Sequence, residues 1–170
     1  MQGPGPRGTA KDRALRLLGT RWRSREELRR RLRQAGFDPE DIERALEDLE
    51  RTGLVDDSRF AREVVRDQAE RRLSGERGIR KALREKGIDP GLIEEALSGA
   101  GDEEDRAYRL AASRAARMSG LDAEAAYRRL LSLLLRRGFS PAVAREATRS
   151  ALQEALAAAF PDGTTDQPEA

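Results

Sequence analysis

The side chains best placed to do chemistry in this chain are arginines. Arg25, Arg29 and Arg33 recur at helical i, i+4, i+8 spacing, which puts them on one stripe of a helix. Arg77, Arg80, Lys81 and Arg84 crowd a second segment, followed by Lys86, and Arg136 and Arg137 close a third. Guanidinium groups in a line suit a phosphate backbone or an acidic protein groove, because each can engage two oxygens at once. A solvated helix face balanced by nearby acids is the competing reading of such a stripe. No acid follows Glu27 until Asp38, so pairing within the helix does not account for the arginines, and a binding surface is expected.

Other chemistries are excluded by what is missing. The chain of 170 residues has no Cys and no His, so thiolate nucleophiles, imidazole bases, disulfides and ordinary zinc sites are ruled out. Asp56-Asp57 could be imagined as a metal-binding pair, but the Ser58-Arg59-Phe60-Ala61 that follows makes a helix start the better reading. The acids from Asp102 to Asp105 read as a charged helix start for the same reason. Trp22, between Arg21 and Arg23, could stack on a base, although a lone Trp at a helix end is expected to pack. There is no P-loop, no dinucleotide fingerprint and no catalytic triad, so no catalytic residue, metal or cofactor is expected.

The elements that must position the basic residues are repeated. Gly36-Phe37-Asp38-Pro39, Gly87-Ile88-Asp89-Pro90 and Gly138-Phe139-Ser140-Pro141 stand 51 residues apart. Leu28, Ile79 and Leu130 keep the same step, as do Leu32, Leu83 and Leu134. A fixed period carried by apolar and turn positions marks a repeated structural unit. Each unit reads as three helices. In the first, Leu15, Leu18 and Trp22 suggest one helix. Ser24 and Glu27 form a capping box opening a second, and Gly36 ends it with a left-handed residue. Asp38 and Pro39 start a third, lined by Ile42, Ala45, Leu46 and Leu49. The second unit repeats this order, with its first helix opening at Asp57 or Ser58. The third has helices around Ala107–Met118, over Ala123–Arg137 and from Pro141 to about Ala159. The run Leu130-Leu131-Ser132-Leu133-Leu134-Leu135 is too apolar for an exposed face and is expected to be buried. Nine helices in three units follow: residues 10–54, 55–100 and 101–160, with disordered tails at 1–9 and 161–170. Strands are not expected.

The net charge of +2 conceals segregation. Residues 20–37 carry seven Arg against two acids, whereas 38–57 carry nine acids against two Arg. Residues 71–87 and 106–149 are again basic. Such patches bind polyanions even when the total is near neutral. No apolar run approaches a membrane span, and a soluble cytoplasmic monomer is expected.

In this frame the chain resembles the RecX family of bacterial recombinase regulators, from about Ala14 to Leu152. The resemblance rests on Ser24–Leu32, on Gly53-Leu54-Val55-Asp56-Asp57-Ser58-Arg59-Phe60-Ala61, on Ile79–Ile88 and on Leu135–Ser140, in that order and spacing. Position 82 is Ala where the family usually has Glu, and residues 99–126 match poorly. The resemblance implies an elongated, curved, all-α array of three tandem three-helix repeats. It implies binding in the groove of the RecA recombinase filament, with inhibition of ATP hydrolysis, filament growth and strand exchange, and so modulation of DNA repair and the SOS response. Binding to single- and double-stranded DNA is implied for many members. Arg25, Arg29, Arg80, Lys81, Arg84 and Lys86 match basic positions of the family motifs; their role as contacts follows from charge. The alternative is a direct DNA-binding helical module that does not act on RecA.

Overall fold

A computed structural model describes residues 8–118 and 120–159. Of the tails expected at 1–9 and 161–170, residues 1–7 and 161–170 lie outside that range, whereas Thr9 is ordered as the cap of α1 in a capping box with Asp12. Nine α-helices are present among the described residues, and no strand. They are α1 (Ala10–Leu18), α2 (Arg25–Gln34), α3 (Pro39–Arg51), α4 (Asp57–Arg66), α5 (Glu76–Glu85), α6 (Pro90–Leu97), α7 (Glu103–Ala115), α8 (Ala123–Arg136) and α9 (Pro141–Ala159). One further turn, Asp67–Arg71, is π-helical and follows α4 directly.

The 51-residue period is a period of helix ends. Gly36, Gly87 and Gly138 have φ of +84°, +73° and +85°, conformations that carry no Cβ penalty only in glycine. In each case the next residue donates its N–H back into the helix: Phe37 to Leu32, Ile88 to Leu83 and Phe139 to Leu134, at 3.2–3.3 Å. These are the closing bonds of a Schellman-type end. The following helix then opens on a side-chain cap, Asp38 to the Glu40 N–H, Asp89 to the Gly91 N–H and Ser140 to the Val143 N–H. The Ser24–Glu27 capping box opens α2 as its spacing requires.

The chain divides into two compact units. One combines the chain through Asp67 with Ile79–Ala100, and the other combines Gln68–Gly78 with the chain from Gly101. In the first, Leu28 and Leu32 of α2 close on Ile42, Leu46 and Leu49 of α3 and on Ala10 and Ala14 of α1. Phe60, Ala61 and Val65 of α4, Ile79 and Leu83 of α5, and Ile93 of α6 are also buried there. In the second, Leu130 and Leu134 of α8 pack with Phe139, with Ala107, Leu110 and Ala111 of α7, and with Ala144, Ala147 and Ala151 of α9.

Three details differ from the sequence reading. The fully buried face of α1 is Ala10 and Ala14, with Leu17 and Leu18 packed against the core partly buried, while Leu15 is exposed. Helix α4 opens at Asp57 as expected, with Asp56 as its cap, whose carboxylate accepts the Arg59 N–H at 2.9 Å. Helix α7 starts at Glu103, capped by Asp102, and stops at Ala115, so the acidic run lies within its first turn. Of the leucine run, Leu130 and Leu134 are fully buried, but Leu135 is 42% exposed.

Candidate functional site

The basic residues divide by whether the fold supplies them with a counter-charge. Arg25 reaches Glu43 and Glu50, both at 2.9 Å, and Arg29 reaches Glu43 at 2.6 Å and Glu26 at 2.5 Å. Burial would lower the Arg25 pKa, but Glu50 and Glu43 more than reverse that and hold it above the ordinary arginine value. The absence of acids between Glu27 and Asp38 therefore misleads. Most of the balance comes across space from α3, whose Glu43 and Glu50 lie within hydrogen-bond reach of Arg25 and Arg29.

The second repeat copies this arrangement. Arg80, 51 residues after Arg29, forks onto Glu94, 51 residues after Glu43, at 2.8 and 3.0 Å. Glu94 titrates below its ordinary value chiefly through that hydrogen bond. In the third repeat the matching positions are Leu131 and Arg145, and the pair is gone. Lys81 pairs with Glu85 one turn on, and Lys86 reaches Glu27 at 3.3 Å.

Arg33, Arg77, Arg84 and Arg136 have no ion pair among the described residues, and all four are exposed. Arg33 and Arg84 are again 51 residues apart, so the first two repeats each present one unpaired cation at the same place on their second helix. Arg137 is half-buried and donates to the Arg72 carbonyl. The structure thus separates ten candidates into a neutralised group and a smaller free one. The missing signal was the acids of α3 and α6, which are visible only once α2 is known to lie against α3.

Two other sequence candidates are placed clearly. Asp56 and Asp57 both cap helices: Asp57 accepts the Arg25 N–H at 2.8 Å, so it closes α2 from the start of α4. Burial pushes the Asp57 carboxyl above its ordinary pKa. Among the described residues no group of three or more His, Cys, Asp or Glu could hold a metal. Trp22 is 45% exposed rather than packed, and the Arg59 guanidinium sits 4.5 Å from its ring centroid. No helix among the described residues is long and apolar enough to cross a membrane.

Each three-helix segment matches a family model: the RecX first three-helix domain over residues 10–49, the second over 56–97 and the third over 102–148. The third match runs through most of the 99–126 stretch, where the resemblance to the family motifs is poor. A regulatory protein RecX of Corynebacterium efficiens is 40% identical over 151 residues, covering 85% of this chain and 72% of that one. Another, of Chlorobaculum tepidum, is 35% identical over 150 residues, covering 88% and 92%. The crystal structure of RecX from Lactobacillus salivarius superposes with a TM-score of 0.72 at 25% identity, over 84% of this chain and 94% of that chain. Sequence, repeat structure and fold agree that this chain belongs to the RecX family of regulatory proteins.

Proposed function

We propose that the chain regulates the RecA recombinase by binding its filament, lowering its ATPase and limiting filament growth and strand exchange. Membership of the RecX family carries this reading, since the relatives are named as regulatory proteins. The free cations Arg33, Arg77 and Arg84 support it. They are exposed and lack an ion pair among the described residues, and Arg33 and Arg84 recur by repeat, which suits a partner that itself repeats. Regulation by contact also accords with the absence of Cys and His from the whole sequence.

Titration of the protein into a single-stranded-DNA-dependent RecA ATPase assay tests the proposal. Inhibition well below one protein per RecA protomer is expected. Unchanged ATPase and filament length at equimolar protein would refute it. A control without RecA separates the alternative: affinity for DNA alone that falls steeply with salt would identify a direct DNA-binding module.

A further inference from the structure

The second compact unit contains a cavity of about 610 Å³ whose charged lining is entirely arginine: Arg71, Arg72, Arg114, Arg136 and Arg137. Gln68, Ser74 and Ser113 add polar groups, and no carboxylate lines it. Arg114 and Arg136 have no ion pair among the described residues, and the Arg114 Nε is buried without a hydrogen-bond partner. A guanidinium N–H removed from water and left without an acceptor is costly, and few such groups survive in folded proteins.

The backbone around this cavity is also unusual. The π-helical turn Asp67–Arg71 supplies Gln68 and Arg71, and π turns concentrate at functional sites. Leu73, also on the lining, has φ of +48°, and it is the one non-glycine with positive φ among the described residues. Ser74 is held by its Oγ donating to Gln68 Oε1 at 2.8 Å and by its carbonyl accepting from the buried Arg106 at 3.3 Å. The strained turn is therefore fixed from two sides. Opposite it, Gly78 lies so close to α8 that a Cβ would stand 2.7 Å from the Arg137 carbonyl oxygen.

From the all-arginine lining, the buried unsatisfied Arg114 Nε and the strained turn between them, we infer that this cavity is a phosphate-oxyanion site accepting a short run of phosphate groups. Bidentate guanidinium forks match phosphate oxygens, and one phosphate would leave most of the volume empty. The run could be supplied by a free polyphosphate chain or by the backbone of a nucleic-acid strand; the recognition chemistry is the same. The inference does not depend on action on RecA, and its test contains no RecA.

The full chain is titrated calorimetrically with inorganic tripolyphosphate at physiological salt, with oligothymidylate as competitor. Saturable binding of one tripolyphosphate is expected, weakened about ten-fold or more by Arg114→Gln and by Arg136→Gln but not by Arg44→Gln on α3. Displacement by oligothymidylate would identify strand backbone as the source. Saturable binding without displacement would identify free polyphosphate. Because Arg114 is partly buried, Arg136→Gln, on the exposed rim, decides the matter if Arg114→Gln fails to melt cooperatively. No saturable binding of either probe, or equal affinity in Arg136→Gln and the unchanged protein, would overturn the assignment.

Discussion

Ser24 and Gly75 occupy the same place in successive repeats, 51 residues apart, and each meets the end of a later helix. Ser24 Oγ donates to the Lys86 carbonyl at 2.6 Å, where α5 ends. The Gly75 N–H donates to the Arg137 carbonyl at 3.0 Å, where α8 ends. The acceptors, Lys86 and Arg137, are again 51 residues apart. One contact is therefore made twice with different chemistry. At the first junction side chains mediate it: Glu27 adds a Lys86 pair, and the Arg25 N–H is closed by Asp57 at 2.8 Å. At the second the backbones touch. A Cβ on Gly75 would lie 2.3 Å from the Phe139 nitrogen, and one on Gly138 would lie 2.2 Å from the Gly78 nitrogen. The Glu76 N–H there is closed by Glu103 at 2.7 Å, the counterpart of Asp57. A repeat can thus preserve a junction's topology while exchanging a polar spacer for direct backbone packing.

That contrast predicts unequal tolerance. Gly75→Ser, which gives the second junction the residue of the first, should cost about 3 kcal/mol or more, because the new atoms meet backbone that cannot rotate aside. Gly138→Ala should be of similar size, adding positive-φ strain to the overlap. The reverse exchange, Ser24→Gly, should cost only about 1 kcal/mol, the loss of a cap hydrogen bond and of the Lys86 contact. Denaturant unfolding of the three variants measures this directly, and equal costs at the two junctions would remove the distinction.

Titration sharpens the comparison further at the first junction. Burial alone would raise the Glu27 pKa, but the Arg21 hydrogen bond and the Lys86 and Arg21 charges outweigh it and lower the pKa. A depressed carboxylate contributes stability that is present above the unfolded value of about 4.3 and is lost as pH falls through the folded value. Glu27→Gln should cost about 1 kcal/mol at pH 7 and flatten the acid limb of stability. Asp57 has the opposite sign. Its pKa is raised, so its contribution is present below the unfolded value and is lost as pH rises through the folded one. Asp57→Asn retains an acceptor for the Arg25 N–H and should shift stability at pH 7 by no more than about 0.5 kcal/mol. Urea midpoints between pH 3 and 7 distinguish the two slopes.

The smallest stability effect is expected where the fold supplies no partner. Arg33→Glu with Arg84→Glu should move stability by no more than about 0.5 kcal/mol, yet weaken the proposed RecA inhibition several-fold. Arg25→Glu would confound the measurement, because it sets a new acid against Glu43 and Glu50.

The sequence made the helix ends readable because their chemistry is local. A glycine at φ +84°, an Asp-Pro start and a Ser–Glu capping box each act over a few residues. The turn at Leu73 was not readable, because nothing in a leucine announces a positive φ, and the π turn before it follows from packing rather than propensity. The basic residues were half legible. Their positions on the helices were right, but whether Arg25 or Arg33 is free depends on which α3 carboxylate lies across from it. The 51-residue step offered an unused shortcut, since it carries the Arg29–Glu43 pair onto Arg80–Glu94. Arg114 gave no signal at all: its buried Nε without a hydrogen-bond partner among the described residues appears only when α7 and α8 are assembled.

The carboxylates on Arg25 and Arg29 also change what an incoming anion would gain there. Glu43 and Glu50 already occupy the guanidinium donors, so a ligand oxygen must evict one of them and leave it to water. Binding at such a site is an exchange reaction whose driving force is the difference between two similar contacts. It discriminates weakly against ions that resemble a carboxylate and favours a ligand able to replace several at once.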